Sequence, residues 1–217
     1  MTVLTVALTG GIATGKSIVA ARLERRGCYI HSADQTAHDL MKPGRSAWRE
    51  VVSHFGRGIL NPDRTIDRAR LGTVIFRNER ERLWLNRLIH PRVLAKKKRV
   101  IHRLEKEGKY RIYVSEAALT IESGFAPFFD RVVVVHCAGE IQVRRLMARD
   151  GIDRRTALAR IRSQMPSPEK QSQADYLIDT SGSLKDTLEQ TDAVYRGLLG
   201  DYRAKRTAEK KAAARGG

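Results

Sequence analysis

Val3-Leu4-Thr5-Val6-Ala7-Leu8-Thr9-Gly10-Gly11-Ile12-Ala13-Thr14-Gly15-Lys16-Ser17 is the stretch whose reading decides the fold. An apolar, β-branched run ends in a glycine-rich turn, and an apolar helix period follows from Lys16 to about Arg26. Gly10, Gly15, Lys16 and Ser17 satisfy G-x-x-x-x-G-K-[ST], the phosphate-binding loop between a strand and a helix. The backbone N–H groups of Gly11, Ile12, Ala13, Thr14 and Gly15 are then aimed into an anion nest. The helix dipole behind it favours negative charge. Lys16 is placed to reach the β- and γ-phosphates, and the Ser17 hydroxyl to ligate Mg²⁺. The stretch predicts binding of a nucleoside triphosphate.

Outward from that turn, strands alternate with helical periods. Candidate strands are 3–8, 29–31, 111–115, 131–136 and 176–178. Val132-Val133-Val134-Val135 is apolar without alternation, as a strand covered on both faces requires. The expected fold is α/β, a parallel five-stranded sheet with helices on both faces. Residues 32–108 are too long for one crossover and read as consecutive helices, a helical insertion. Residues 150–173 are short, polar and arginine-rich, with the spacing of a mobile cover or of a solvated hairpin. The core is thus expected at 1–31, 109–149 and 174–202, all within one domain of 1–202.

Lys and Arg number 41 against 24 acidic residues, a formal charge of +17. Residues 203–217 carry +5 of it and read as a basic tail, disordered or a frayed helix. Such charge suits polyanionic partners, either nucleic acid or a phosphorylated small molecule. Recognition motifs for nucleic acid are absent, so only weak contact through the tail is expected. Cys28 and Cys137 lack metal-ligand spacing and read as buried free thiols. With neither a secretory leader nor an 18-residue apolar run, the expectation is a cytoplasmic protein without a membrane partner. Oligomeric state is not legible.

In a parallel sheet, residues just after each strand converge on one edge. That rule gathers the phosphate loop, Asp34 and Glu116. Phosphoryl transfer to an alcohol needs charge neutralisation and a carboxylate to take the acceptor proton. Asp34 is the candidate base, the alternative being an N-cap for the next helix. Glu116 is a candidate for the metal's water shell or a plain strand-end carboxylate.

Beside this reading, several segments resemble the dephospho-CoA kinase family. They are Leu8 to Ser17, Ala33-Asp34, Phe55-Gly56, Ile59-Leu60, Asp67-Arg68 and Leu85-Asn86-Arg87-Leu88-Ile89-His90-Pro91. Further on come Gln142, Arg145-Leu146, Arg149, Arg160-Ile161, Gln164-Met165, Lys170, Ala174-Asp175, Ile178-Asp179 and Ser181-Gly182. The resemblance spans about residues 3–200. It implies transfer of the ATP γ-phosphate to the ribose 3′-hydroxyl of dephospho-CoA, the last step of coenzyme A synthesis. Another small-molecule or nucleotide kinase of the same architecture is the alternative, and a basic nucleic-acid-binding protein a more distant one.

On the resemblance, the fold is of the P-loop NTPase type. Asp34 lies at the acceptor hydroxyl, the insertion binds the CoA moiety, and 150–173 is a lid. Arg145, with Asp34 and Lys16, belongs to the catalytic set, and Arg149 to the ATP phosphates. A solvated basic face is the alternative for both arginines. His90 and Glu116 are assigned to the acceptor side, although His90 before Pro91 also fits a helix start. Thr180 stands where the family has Asn near the adenine, and Ser32 where it has Asp. Glu116 and Glu122 bracket a segment that has lost the family's Pro and Phe. The run Lys96-Lys97-Lys98-Arg99 reads as a solvent-facing helix.

Overall fold

The computed structural model of the chain describes residues 2–215. In chain order the elements begin with β1 (Leu4–Gly10), α1 (Lys16–Arg25) and β2 (Tyr29–Ser32). Then come α2 (Ala33–Leu40), α3 (Ser46–Phe55), α4 (Arg68–Arg77) and α5 (Glu79–Glu107). β3 (Ile112–Glu116), β4 (Arg131–His136) and α6 (Gly139–Asp150) follow. The last are α7 (Arg154–Arg162), α8 (Ser167–Gln171), β5 (Tyr176–Asp179) and α9 (Leu184–Arg215). Two compact units result: 1–32 with 104–217, and 33–103.

In the first unit all five strands are parallel, in the order β2-β3-β1-β4-β5. The stretch that opened the reading is therefore the central strand, and every residue of β1 is buried. Val132–Val135 of β4 are buried as well, as their unbroken apolar run requires. Leu4, Val6, Leu8, Val133, Val135 and Ile178 build the core with Val19 and Leu23 of α1 and Val194, Leu198 and Tyr202 of α9. Register fixes what meets at the carboxyl edge: Leu8 lies beside Glu116, Gly10 beside Val135, and His136 beside Asp179. Arg22 of α1 and Arg26, the residue that caps its end, both donate to the Asp192 carboxylate of α9. Those guanidiniums hold the Asp192 carboxyl well below the usual carboxylate range.

The second unit is helical. Asp67 caps α4, its carboxylate accepting from the Ala69 and Arg70 N–H groups. The chain turns at Asn61-Pro62-Asp63, closed by an antiparallel bridge between Leu60 and Ile66. The His54 ring stacks on Trp84 at 3.7 Å, and the Trp48 indole N–H donates to the Arg64 carbonyl at 3.0 Å. α5 runs 29 residues with Pro91 inside it, so His90 is mid-helix and not at a helix start. Pro91 deprives one carbonyl of its partner. The buried Leu85, Leu88, Ile89 and Val93 nevertheless keep the helix going across that point.

Two further expectations change. Lys97 is 4% exposed, whereas the basic run around it suggested solvent. Residues 203–215, expected as disordered or as a frayed helix, are helical and continue α9. Their Ala, Lys, Glu and Arg content favours helix, and Lys205 Nζ bonds the Val3 carbonyl at 3.2 Å and Asp130 at 2.8 Å. Gly216 and Gly217 lie outside the described residues.

Candidate active site

The phosphate loop leaves β1 at Gly10 and enters α1 at Lys16. A Cβ on Gly10 would lie 2.1 Å from the Val135 carbonyl oxygen, so any side chain there would push β1 from β4. Gly15, at φ +89, turns the chain into α1 in a conformation that glycine adopts without steric cost. Ala13 has no such freedom. Its φ of +57 is left-handed, a strain of order 1–3 kcal/mol that the surroundings must hold in place.

Those surroundings are specific. Lys16 Nζ donates to the Gly10 and Gly11 carbonyls, 2.9 Å each, and so lies along the loop it is to serve. The Ile12 N–H donates to Gln164 Oε1 at 2.8 Å, and the Ile12 carbonyl accepts from Gln142 Nε2 at 2.8 Å. The Thr14 carbonyl accepts from the Thr180 hydroxyl at 2.8 Å. The cap of α1 is Gly15, which makes no side-chain cap hydrogen bond, and a helix N-terminus of this kind favours negative charge.

Arg145 is fixed at the same edge. Its Nη1 donates to Thr180 Oγ1 at 2.9 Å and its Nη2 to the Thr180 carbonyl at 2.8 Å. Thr180, 2% exposed, thus uses its hydroxyl to connect Arg145 with the loop. Arg149, one turn on, instead donates to Asp150 at 2.7 Å, and Asp150 also accepts from Arg160 at 2.8 Å. The two arginines, one turn apart on α6, therefore have different partners. Glu116 closes β3 level with Leu8 and Ser32.

α7 and α8 form the segment expected as a lid. Ala157 of α7 packs on Val143 and Leu146 of α6, and Ile12 and Ala13 of the loop pack against that cluster. Lys170, 1% exposed, pairs with Glu122 at 2.6 Å and donates to the Ala118 carbonyl at 3.0 Å. Gln142, Gln164, Glu122 and Lys170 had no role in the sequence reading beyond fitting a family pattern.

In the helical unit, Asp34 lies in the first turn of α2, inside the helix and not at its cap. His90 and Lys97 are seven residues apart on α5, two turns, and so share a face. Burial pushes the Lys97 ammonium down to about 8, opposed by the attraction of Asp34. Burial, and then Lys97, lower His90 in turn. Lys97 thus joins Asp34 and His90 in one electrostatic group. The i+4 spacing of Ile89, Val93 and Lys97 was the available signal for its burial.

Among the described residues no three His, Cys, Asp or Glu side chains cluster to hold a metal. The exposed Ser17 hydroxyl at the start of α1 fits an ion bound mainly by phosphates and water, as Mg²⁺ prefers. No described helix is long and apolar enough to cross a membrane.

A central parallel strand, a glycine-rich anion nest at its carboxyl end, and a lysine and an arginine fixed beside it define a P-loop phosphotransferase. The dephospho-CoA kinase family profile matches residues 4–186. The chain is 40% identical over 193 residues to a dephospho-CoA kinase of Geobacillus kaustophilus, covering 89% of this chain and 96% of that one. Among solved structures, TT1252 of Thermus thermophilus superposes with a TM-score of 0.79 at 28% identity, over 93% of this chain and 98% of that one. A dephospho-CoA kinase from Campylobacter jejuni gives 0.65 at 28% identity, over 89% and 96%. The chain belongs to the dephospho-CoA kinase family.

Proposed function

We propose that this chain phosphorylates dephospho-CoA with Asp34 as general base and the phosphate loop, Lys16 and Arg145 as the phosphate-handling set. The reaction is ATP-dependent transfer to the ribose 3′-hydroxyl, giving coenzyme A and ADP. The hydroxyl oxygen forms a bond to the γ-phosphorus while the bond from that phosphorus to the β–γ bridging oxygen breaks. The hydroxyl proton goes to the Asp34 carboxylate, and ADP takes the bond's electron pair.

The observation that carries the nucleotide half is the fixed nest at the end of β1, with Arg145 pinned beside it through Thr180. The amides of Gly11, Ala13 and 15–17, with Lys16 and Arg145, neutralise charge on the β- and γ-phosphates, whereas the Ile12 and Thr14 N–H groups are spent on Gln164 and on the Gly11 carbonyl. Arg149 joins them on release from Asp150. Ser17 is assigned to Mg²⁺, which when bound offsets phosphate charge. Thr180 acts through Arg145 and the Thr14 carbonyl. His90 and Glu116 are assigned to the acceptor, with Asp34 reaching its hydroxyl. The same reading places the enzyme in the cytoplasm, with nucleic-acid contact limited to weak, salt-sensitive attraction to the basic end of α9.

Purified protein with Mg-ATP should release ADP on addition of dephospho-CoA and form coenzyme A in equal amount. Nucleoside monophosphates should give far slower release. Faster turnover of a monophosphate would assign the chain to a different acceptor.

A further inference from the structure

We infer that Gln164 is a positioning residue of the phosphate loop, which ties the arginine-bearing α7–α8 segment to the backbone that receives the ATP phosphates. The inference rests on the nucleotide-binding reading above and goes further in giving a role to two carboxamides that bind no phosphate.

Ile12 precedes Ala13, the loop residue held left-handed. Both backbone groups of Ile12 are occupied by side chains from distant parts of the chain. Gln142, in the first turn of α6, supplies a donor to its carbonyl, and Gln164, just beyond α7, supplies an acceptor to its N–H. The Ile12 and Ala13 side chains add contacts to the cluster of Val143, Leu146 and Ala157. A neutral carboxamide suits this place: it satisfies backbone groups without adding charge beside an anion site. A carboxylate would repel phosphate, and a lysine would compete for it.

The anchor at the other end of the segment is separate. Lys170 pairs with Glu122, and the Met165 N–H points to the same carboxylate at 3.4 Å. The stretch from Gln164 to Lys170 is thus fixed to the core at two points: one on the nucleotide loop, the other on the segment after β3. Arg155, Arg160 and Arg162 are exposed on the α7 that leads into it. A change in the Ile12 backbone on phosphate binding is felt at Gln164 first, and through it by the arginines.

Gln164→Ala and Gln164→Glu separate this role from a general structural one, because the glutamate still accepts the Ile12 N–H. In nucleotide-free Gln164→Ala, amide hydrogen exchange at Ile12 should speed up roughly tenfold, the worth of one hydrogen bond to backbone. In Gln164→Glu it should stay near the wild-type rate. Trypsin should cut Gln164→Ala faster at Arg160 and Arg162. The KM for ATP of Gln164→Ala should rise roughly tenfold with the KM for dephospho-CoA unchanged. Unchanged Ile12 exchange in Gln164→Ala would overturn the tie. Faster exchange with an unchanged KM for ATP would overturn its positioning role. Failure of the wild-type enzyme to use ATP would instead strike the reading beneath, and the Ile12 exchange result would still stand by itself.

Discussion

The phosphate loop and the group around Asp34 meet the same problem, handling charge, by opposite means. At the loop, the partners are backbone amides and carbonyls, two neutral carboxamides and a threonine hydroxyl, each within 2.8–2.9 Å. Positive charge enters through Lys16 and Arg145, both held by hydrogen bonds. In the helical unit, a carboxylate, a half-buried imidazole and a buried ammonium act on one another through their fields. A nest built of dipoles is preorganised and indifferent to pH. A group of titratable side chains can exchange protons, which a base must do, and costs stability for it.

The comparison can be broken most sharply at Asp34. Asp34→Asn keeps the size and removes the proton acceptor, so kcat should fall roughly 10²–10⁴-fold with ATP binding little changed. Rapid-quench turnover beside ATP titration would check it, and near-normal kcat would leave Asp34 a helix-dipole partner only. Next in size, Lys16→Ala removes one of the two held cations at the nest. Its kcat should drop about 10²–10³-fold, with ATP binding weakened as well, in contrast to Asp34→Asn.

The smallest expected effect lies with Lys97. Its ammonium is displaced from 10.5 to about 8, so the unfolded chain binds more protons than the folded one between those values. Stability of the wild type should therefore rise as pH climbs through that window, while below about 8 the full cost of the buried charge is present. Lys97→Met should raise Tm at pH 7 by at least about 3 °C, and the gain should shrink toward pH 10.5. Calorimetry at the two pH values would test this. A Tm loss at pH 7 would show that the attraction of Asp34 outweighs desolvation.

Legibility in the sequence followed the distance between partners along the chain. The phosphate loop is local: its glycines, lysine and serine lie within eight positions, and the strand before it and helix after it announce themselves by period. The Ile12 backbone is held from 130 and 152 residues away, and no window of sequence contains that pattern. Thr180 likewise reads as a substitution near an adenine pocket until the structure shows its hydroxyl between Arg145 and Thr14. Lys97 was misread for another reason. Composition of the run 96–99 spoke for solvent, while helical period placed position 97 on the face of Ile89 and Val93. Period, not composition, decided. At 203–215 charge suggested disorder, and helix propensity with the Lys205 contacts prevailed.

Lys205 gives the far end of the chain a hand in its beginning. Through Asp130, which also receives the Thr5 N–H and hydroxyl at 2.7 Å, the last helix grips the first residues of the strand that delivers the nest. Trimming the polypeptide back to Tyr202, a natural choice for anyone who takes the basic end for an ornament, would unfasten the amino-terminal root of β1. Damage done there would surface at its other tip, as a nucleotide site gone slack.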